Sequence, residues 1–329
     1  MTTYVLGAGA SLHAGYPLCS TLWSKIAMWV LASRDLDSEY RRAVDTITAL
    51  HGPIIDVEEM FTDLDLARGA FQGLSQEQRN SLEGAIRRCI RDYFKSICVD
   101  RLDAPLYDSF AKMVQPGDCV VSFNYDVALE NSLIAAQKFR AKNGYGKSLQ
   151  GVWDEPDSEV TVLKLHGSIN WIAVLFGGVT TGWGAFRNSL GQRPFVDNVD
   201  SVFPSYPARI LDTSFPGGGV SGGGTSLVLP TYEKRYSVAT SVGNEWGPFY
   251  QSLWVEAADA IQRSERIVMI GYSMPNADRR SRALLLWGTN KLAEILLCCG
   301  GSNATLKRTF EDHGYWRVVD AGMFADFCH

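Results

Sequence analysis

The chain has 329 residues, 46% of them hydrophobic and 20% charged, with a formal net charge of −5. That balance predicts a globular chain of one large or two modest domains and excludes a basic footprint for nucleic acid over the whole chain. No apolar run approaches the roughly 18–20 residues of a membrane span, and no basic n-region with a cleavage site precedes the first apolar segment, so a cytoplasmic chain is expected.

Tyr4-Val5-Leu6 reads as a buried strand, followed by a turn of small residues, Gly7-Ala8-Gly9-Ala10-Ser11, and by Gly15-Tyr16-Pro17. Small residues at a strand-to-helix turn let backbone approach a ligand, and the N–H groups there favour a phosphate. From Pro17 to Ser33, Leu22, Trp23, Ile26, Trp29 and Val30 recur at helical spacing. Residues 34–113 remain helical in pattern, over 37–50, 57–71, 75–99 and 106–114. Ser75 and Gln78 predict a capping box, and Glu58-Glu59 read as a solvated helix face.

Strand character returns at 118–123, with a helix from Asp126 to about Lys142, and again at 160–165, ending in His166-Gly167-Ser168. Residues 173–243 are irregular, with a glycine-rich loop at 216–224 and a short strand expected over 226–232. A helix is expected over 246–263, a strand over 266–272, and a helix capped by Asp278 running to about Asn290. A strand over 294–299, a helix over 303–313 and a strand over 316–319 complete the pattern. Alternation of this kind predicts an α/β fold: a Rossmann-like parallel sheet with helices on both faces and a helical insertion after the first strand–helix unit. The expected division is a core of residues 1–33 and 114–329, with the irregular insertion 173–243, and a helical module of 34–113.

Seven cysteines, odd in number and scattered, include no C-x-x-C pair. Free thiols in a reducing compartment are expected, with no zinc ribbon and no metal. Four predicted strands end in polar or glycine residues: Gly7–Ser11, Ser122–Asp126, His166–Ser168 and Gly271–Ser273. In a doubly wound sheet such ends converge on one crevice.

Gly7-Ala8-Gly9-Ala10-Ser11 with Gly15-Tyr16-Pro17, then Ser122-Phe123-Asn124-Tyr125-Asp126, then Lys164-Leu165-His166-Gly167-Ser168, in that order, resembles the sirtuin superfamily. Asn170-Trp171, Pro230-Thr231-Tyr232 and Ile270-Gly271-Tyr272-Ser273-Met274-Pro275 look like its bacterial sirtuin-like branch, many of whose members are NAD-consuming effectors of antiphage defence. The resemblance runs from Tyr4 to about Val319.

It implies an NAD hydrolase that yields ADP-ribose and nicotinamide, with NAD as substrate. Gly7, Ala8, Gly9, Ala10 and Ser11 would hold the pyrophosphate. Gly15 and Pro17 would border the nicotinamide side, while Gly271 and Ser273 would lie under the adenosine half. Asn124 would bond the nicotinamide ribose or a water beside it, Asp126 would fix the carboxamide end, and His166 would be the general base. Independently of the resemblance, these residue types suit the reaction. Expelling neutral nicotinamide from a cationic ring needs no strong acid, but it needs a gripped ribose, polar oxygens near developing positive charge and controlled water. An imidazole can accept the proton near neutral pH.

Two departures turn the expectation from deacylation toward water as acceptor: the missing zinc ribbon, and Leu18-Cys19-Ser20-Thr21 after Pro17 in place of an acidic-aromatic-Arg sequence. NAD-dependent protein deacylation and a non-catalytic nucleotide-binding sensor or structural subunit are the alternatives. A toxic NADase must be held off until triggered, so a homo-oligomer or a separately encoded sensor partner is expected, with neither membrane nor nucleic acid bound directly.

Overall fold

A computed structural model of the chain describes residues 1–33, 36, 38–52, 56–100, 104–140, 143–146, 158–173, 195–196, 224–231, 247–276 and 278–328. Most of the irregular insertion, including 216–223 of the glycine-rich loop and Tyr232, lies outside these residues.

Apolar runs flanked by polar turns become the strands of one parallel sheet. These are β1 (Thr2–Leu6), β2 (Cys119–Ser122), β3 (Thr161–Lys164), β7 (Arg266–Ile270), β8 (Glu294–Cys298) and β9 (Val318–Asp320). Their order is β3-β2-β1-β7-β8-β9, and every neighbouring pair is parallel. Near-continuous apolar sequence in β1, β2 and β7 follows from burial on both sides, as a helix-covered parallel sheet requires. The chain runs from β1 outward to β2 and β3, then returns beside β1 as β7. That reversal opens a crevice outside the carboxyl ends of β1 and β7. The α/β, Rossmann-like fold expected from the alternation is the one observed.

Helices surround the sheet. α1 (Cys19–Ala32) buries Leu22, Trp23, Ile26 and Val30, as its spacing predicts. α2 (Ser38–His51), α3 (Val57–Leu66), α4 (Gln76–Asp100) and α5 (Pro105–Met113) follow before β2. The capping box at the start of α4 is present: Ser75 N–H donates to Gln78 Oε1 at 2.8 Å, and Gln78 N–H to Ser75 Oγ at 3.2 Å. α5 sets Phe110 edge-on against Tyr4 of β1, 4.8 Å between centroids.

Three expectations need correction. The turn after β1 is a 3-10 helix, Ala8–Ala14, and α1 starts only at Cys19. α6 (Ala128–Ala135) stops well short of Lys142, ended by Gln137 at φ 61. His166-Gly167-Ser168 does not simply end a strand: β4 (Gly167–Ala173) departs at once into a second, antiparallel sheet of order β5-β4-β6, with β5 (Phe195–Val196) and β6 (Gly224–Leu227). The strand expected over 226–232 therefore begins and ends earlier. The last helices are α7 (Gly247–Arg263), α8 (Arg279–Gly288), α9 (Asn303–Asp312) and α10 (Phe324–Phe327). Among the described residues no helix is long and apolar enough to cross a membrane.

Candidate functional site

A cavity of about 640 Å³ lies at the carboxyl ends of β1, β2, β3 and β7. Ten of the twelve expected site residues line it: Gly7, Ala8, Gly9, Ser11, Pro17, Asn124, Asp126, His166, Gly271 and Ser273. The structure does not bring Ala10 and Gly15 to its wall. Ala10 is fully buried and its N–H donates to Gly7 O at 2.9 Å. Gly15, at φ 86, closes the 3-10 helix in the left-handed conformation, its N–H donating to Leu12 O.

The glycine turn is pressed onto the end of β7. Gly7 N–H donates to Ile270 O at 3.0 Å and Gly9 N–H to Gly271 O at 2.9 Å. A Cβ on Gly271 would lie 2.1 Å from Ala10 N, and one on Gly9 2.8 Å from Gly271 O. Smallness here serves strand-to-strand approach, and three N–H groups of the turn (Gly7, Gly9 and Ala10) are already used on backbone carbonyls.

Asn124 locks this turn from the β2 side. Its Nδ2 donates to Gly7 O at 2.9 Å and to Ser11 Oγ at 3.0 Å. Ser11 in turn shares a 2.7 Å hydrogen bond with the Tyr107 hydroxyl of α5. Burial pushes Tyr107 well above the ordinary tyrosine value, so this hydroxyl stays protonated. Asp126 both lines the cavity and accepts from Ala128 N–H at 3.1 Å at the start of α6.

His166 sits at the end of β3, buried, where its own carbonyl accepts from Val228 N–H at 2.8 Å. Its ring meets Phe123 at 5.1 Å between centroids, and Phe123 stacks on Tyr272 at 4.5 Å. The His166 Nε2 lies 3.9 Å from Asp278 Oδ2. Asp278 caps α8 as expected, its Oδ1 accepting from Ser281 N–H at 3.4 Å, and its Oδ2 accepts from the Tyr272 hydroxyl at 3.0 Å.

Tyr272, within the Gly271–Ser273 segment expected at the crevice, and Asp278, expected only as a helix cap, both line the cavity. Asp278 carries a legible cap signal that hides its second contact, with a residue 112 positions earlier. Glu58, expected on a solvated face, instead lines the cavity, while Glu59 stays exposed. Asp56, its Oδ1 accepting from the Glu58 and Glu59 N–H groups, caps α3 and turns that helix's first residues toward the cavity. His13 is packed against Tyr107 and Phe324, away from the cavity wall.

Behind the Asn124–Asp126 loop is a second polar cluster, sealed from the cavity. Lys164 and Glu130, each 1% exposed, form an ion pair at 2.9 Å. Lys164 Nζ also donates to Asp126 O, Tyr145 donates to Glu130 Oε1 at 3.4 Å, and Asn170 Nδ2 donates to the Tyr145 hydroxyl at 3.0 Å. Burial raises the Glu130 carboxyl above its ordinary value, and Lys164 opposes that rise. Among the described residues no group of three or more His, Cys, Asp or Glu side chains could hold a metal ion.

No family model matches the chain, and no curated protein matches it. Among solved structures it is similar to a Sir2 homologue in complex with 2'-O-acetyl-ADP-ribose, at 13% identity over 96% of this chain and 94% of that one, TM-score 0.41. A Sir2 homologue–ADP-ribose complex is similar at 13% identity over 95% and 91%, TM-score 0.42. A Sir2 homologue–NAD complex is similar at 13% identity over 95% and 88%, TM-score 0.40. Likeness of this degree assigns no ligand and no residue role to this chain.

Proposed function

We propose that the cavity takes NAD as substrate and that the protein hydrolyses its nicotinamide–ribose bond, giving ADP-ribose, nicotinamide and a proton. The observation that carries this reading is the meeting of a buried histidine with the glycine turn and Gly271–Ser273 around one cavity at the reversal point of the sheet. The water oxygen bonds to the ribose anomeric carbon as the carbon–nitrogen bond breaks. The electron pair of that bond neutralises the pyridinium ring, and His166 accepts the proton from water. Carboxylates of Asp126 and Asp278 on the wall favour the oxocarbenium-like charge. Asn124 acts by holding Gly7 and Ser11 in place, which shapes the surface offered to the pyrophosphate and ribose.

The same reading keeps residues 34–113 as a helical module beside the nucleotide-binding core. It also keeps a cytoplasmic effector role in antiphage defence, controlled by homo-oligomerisation or a separate sensor protein.

The test is incubation of purified protein with NAD, following nicotinamide and ADP-ribose by chromatography. Wild type should release nicotinamide without any peptide, and His166→Ala should lower the rate at least about 100-fold. Asn124→Ala should weaken NAD binding as well as turnover. Release only with an acylated-lysine peptide would establish the deacylase instead, and bound but unaltered NAD would establish a sensor.

A further inference from the structure

We infer that Asp278 is the positioning residue of His166, a buried carboxylate that orients the imidazole and stabilises it when it takes up a proton. The inference rests on the proposed hydrolysis for its catalytic meaning, but its structural content stands on this geometry alone.

Oδ2 of Asp278 faces His166 Nε2 at 3.9 Å, within ion-pair distance, and both residues are buried on the wall of the cavity. Two features favour a negative charge on the carboxylate there. It caps the ten-residue helix α8, whose amino end favours negative charge. The Tyr272 hydroxyl donates to the same Oδ2 that faces the histidine. Tyr272 is itself fixed by stacking on Phe123, and Phe123 contacts the His166 ring. Histidine, carboxylate, hydroxyl and phenyl ring thus form one closed unit, drawn from β3, the loop after β2 and the segment between β7 and α8. A helix cap alone needs none of these additional contacts.

Among the described residues, the other titratable groups around the same cavity are Asp126 from the loop after β2, Asp56 and Glu58 from the start of α3, Cys19 from the start of α1, and the hydroxyls of Tyr16 and Tyr125. On α8, Arg280 lies over the Trp254 ring at 4.6 Å, and Arg282 donates to Met274 O at 3.0 Å. Asp278 Oδ2 is within ion-pair distance of His166 Nε2. An opposite charge this close favours the charged imidazole, so wild-type His166 should titrate higher than the same ring without it.

The experiment is an NMR titration of the His166 imidazole in the full chain, in wild type, Asp278→Asn and Tyr272→Phe, followed by a pH profile of nicotinamide release. Asparagine preserves the helix cap, so Asp278→Asn should fold, and its His166 midpoint should fall by about one pH unit. The acid limb of kcat/KM should move down with it, while the plateau rate drops. Tyr272→Phe removes the donor that shares Oδ2, leaves the carboxylate freer to act on histidine and should raise the midpoint. Unchanged midpoints in both variants would overturn the inference, because a purely capping role moves neither. Shifted midpoints in a protein that leaves NAD intact would sink the hydrolase reading and leave the pairing established.

Discussion

Lys164 and His166 stand two residues apart at the end of β3, yet each is built into a different kind of polar cluster. Lys164 is sealed among Glu130, Tyr145 and Asn170 and grips the backbone of Asp126. His166 faces Asp278 across a looser 3.9 Å contact on the wall of a cavity. The first cluster encloses its charges with donors and acceptors on several sides, which suits a fixed loop. The second leaves an imidazole beside an open volume, which suits chemistry. Buried charge by itself therefore does not mark the site; its relation to the cavity does.

The sharpest way to break this contrast is Lys164→Met. It strands the Glu130 carboxylate in the interior, and stability in a denaturant titration should fall by about 3–5 kcal/mol. Lys164→Met with Glu130→Leu should recover much of that loss, since no buried charge is then left alone. Recovery would confirm that the sealed cluster serves the fold. His166→Ala should invert the pattern, with nicotinamide release reduced at least about 100-fold and a smaller loss of stability than Lys164→Met. Equal losses of stability in the two variants would erase the distinction.

Gly271→Ala strikes the cavity wall itself, because it drives a methyl group into the Ala10 and Gly9 backbone at φ +59. A loss of at least about 2 kcal/mol is expected, together with loss of NAD binding measured by calorimetry. Gly117→Ala is its control. Its φ is +86 and its Cβ would meet nothing within 4 Å, so only the left-handed penalty of about 1 kcal/mol applies. Comparable losses would mean that the close approach of the two strand ends matters little.

The smallest effect concerns His13. Burial lowers its pKa below 6.5, so the folded state binds its proton less readily than the unfolded chain does. Its contribution to stability is present above about pH 6.5 and is lost as the pH falls from there toward the folded value. Replacing it with Gln should flatten the pH dependence of the melting temperature below about pH 6.5, leaving the activity profile to His166.

Much of the architecture was legible because it is local. Apolar runs became strands, helical spacing in 17–33 became α1, and the short-range hydrogen-bond logic of Ser75 with Gln78 and of Asp278 produced the caps. The convergence of strand ends on one cavity followed from alternation alone, since parallel strands joined by helices must all point their carboxyl ends one way. Other features depended on partners distant in the chain. Backbone packing of Gly9 on Gly271 turned an apparent ligand loop partly into a strand-to-strand contact, and drew Ala10 away from the cavity. The second sheet took β4 as soon as β3 ended, because Gly167 finds its partner in Leu227. The pairing of His166 with Asp278 needed β3 and β7 placed on either side of β1 and β2. Local pattern determined which elements form and where a site can open, whereas only the three-dimensional order of the strands decided which charges are sealed and which face the cavity.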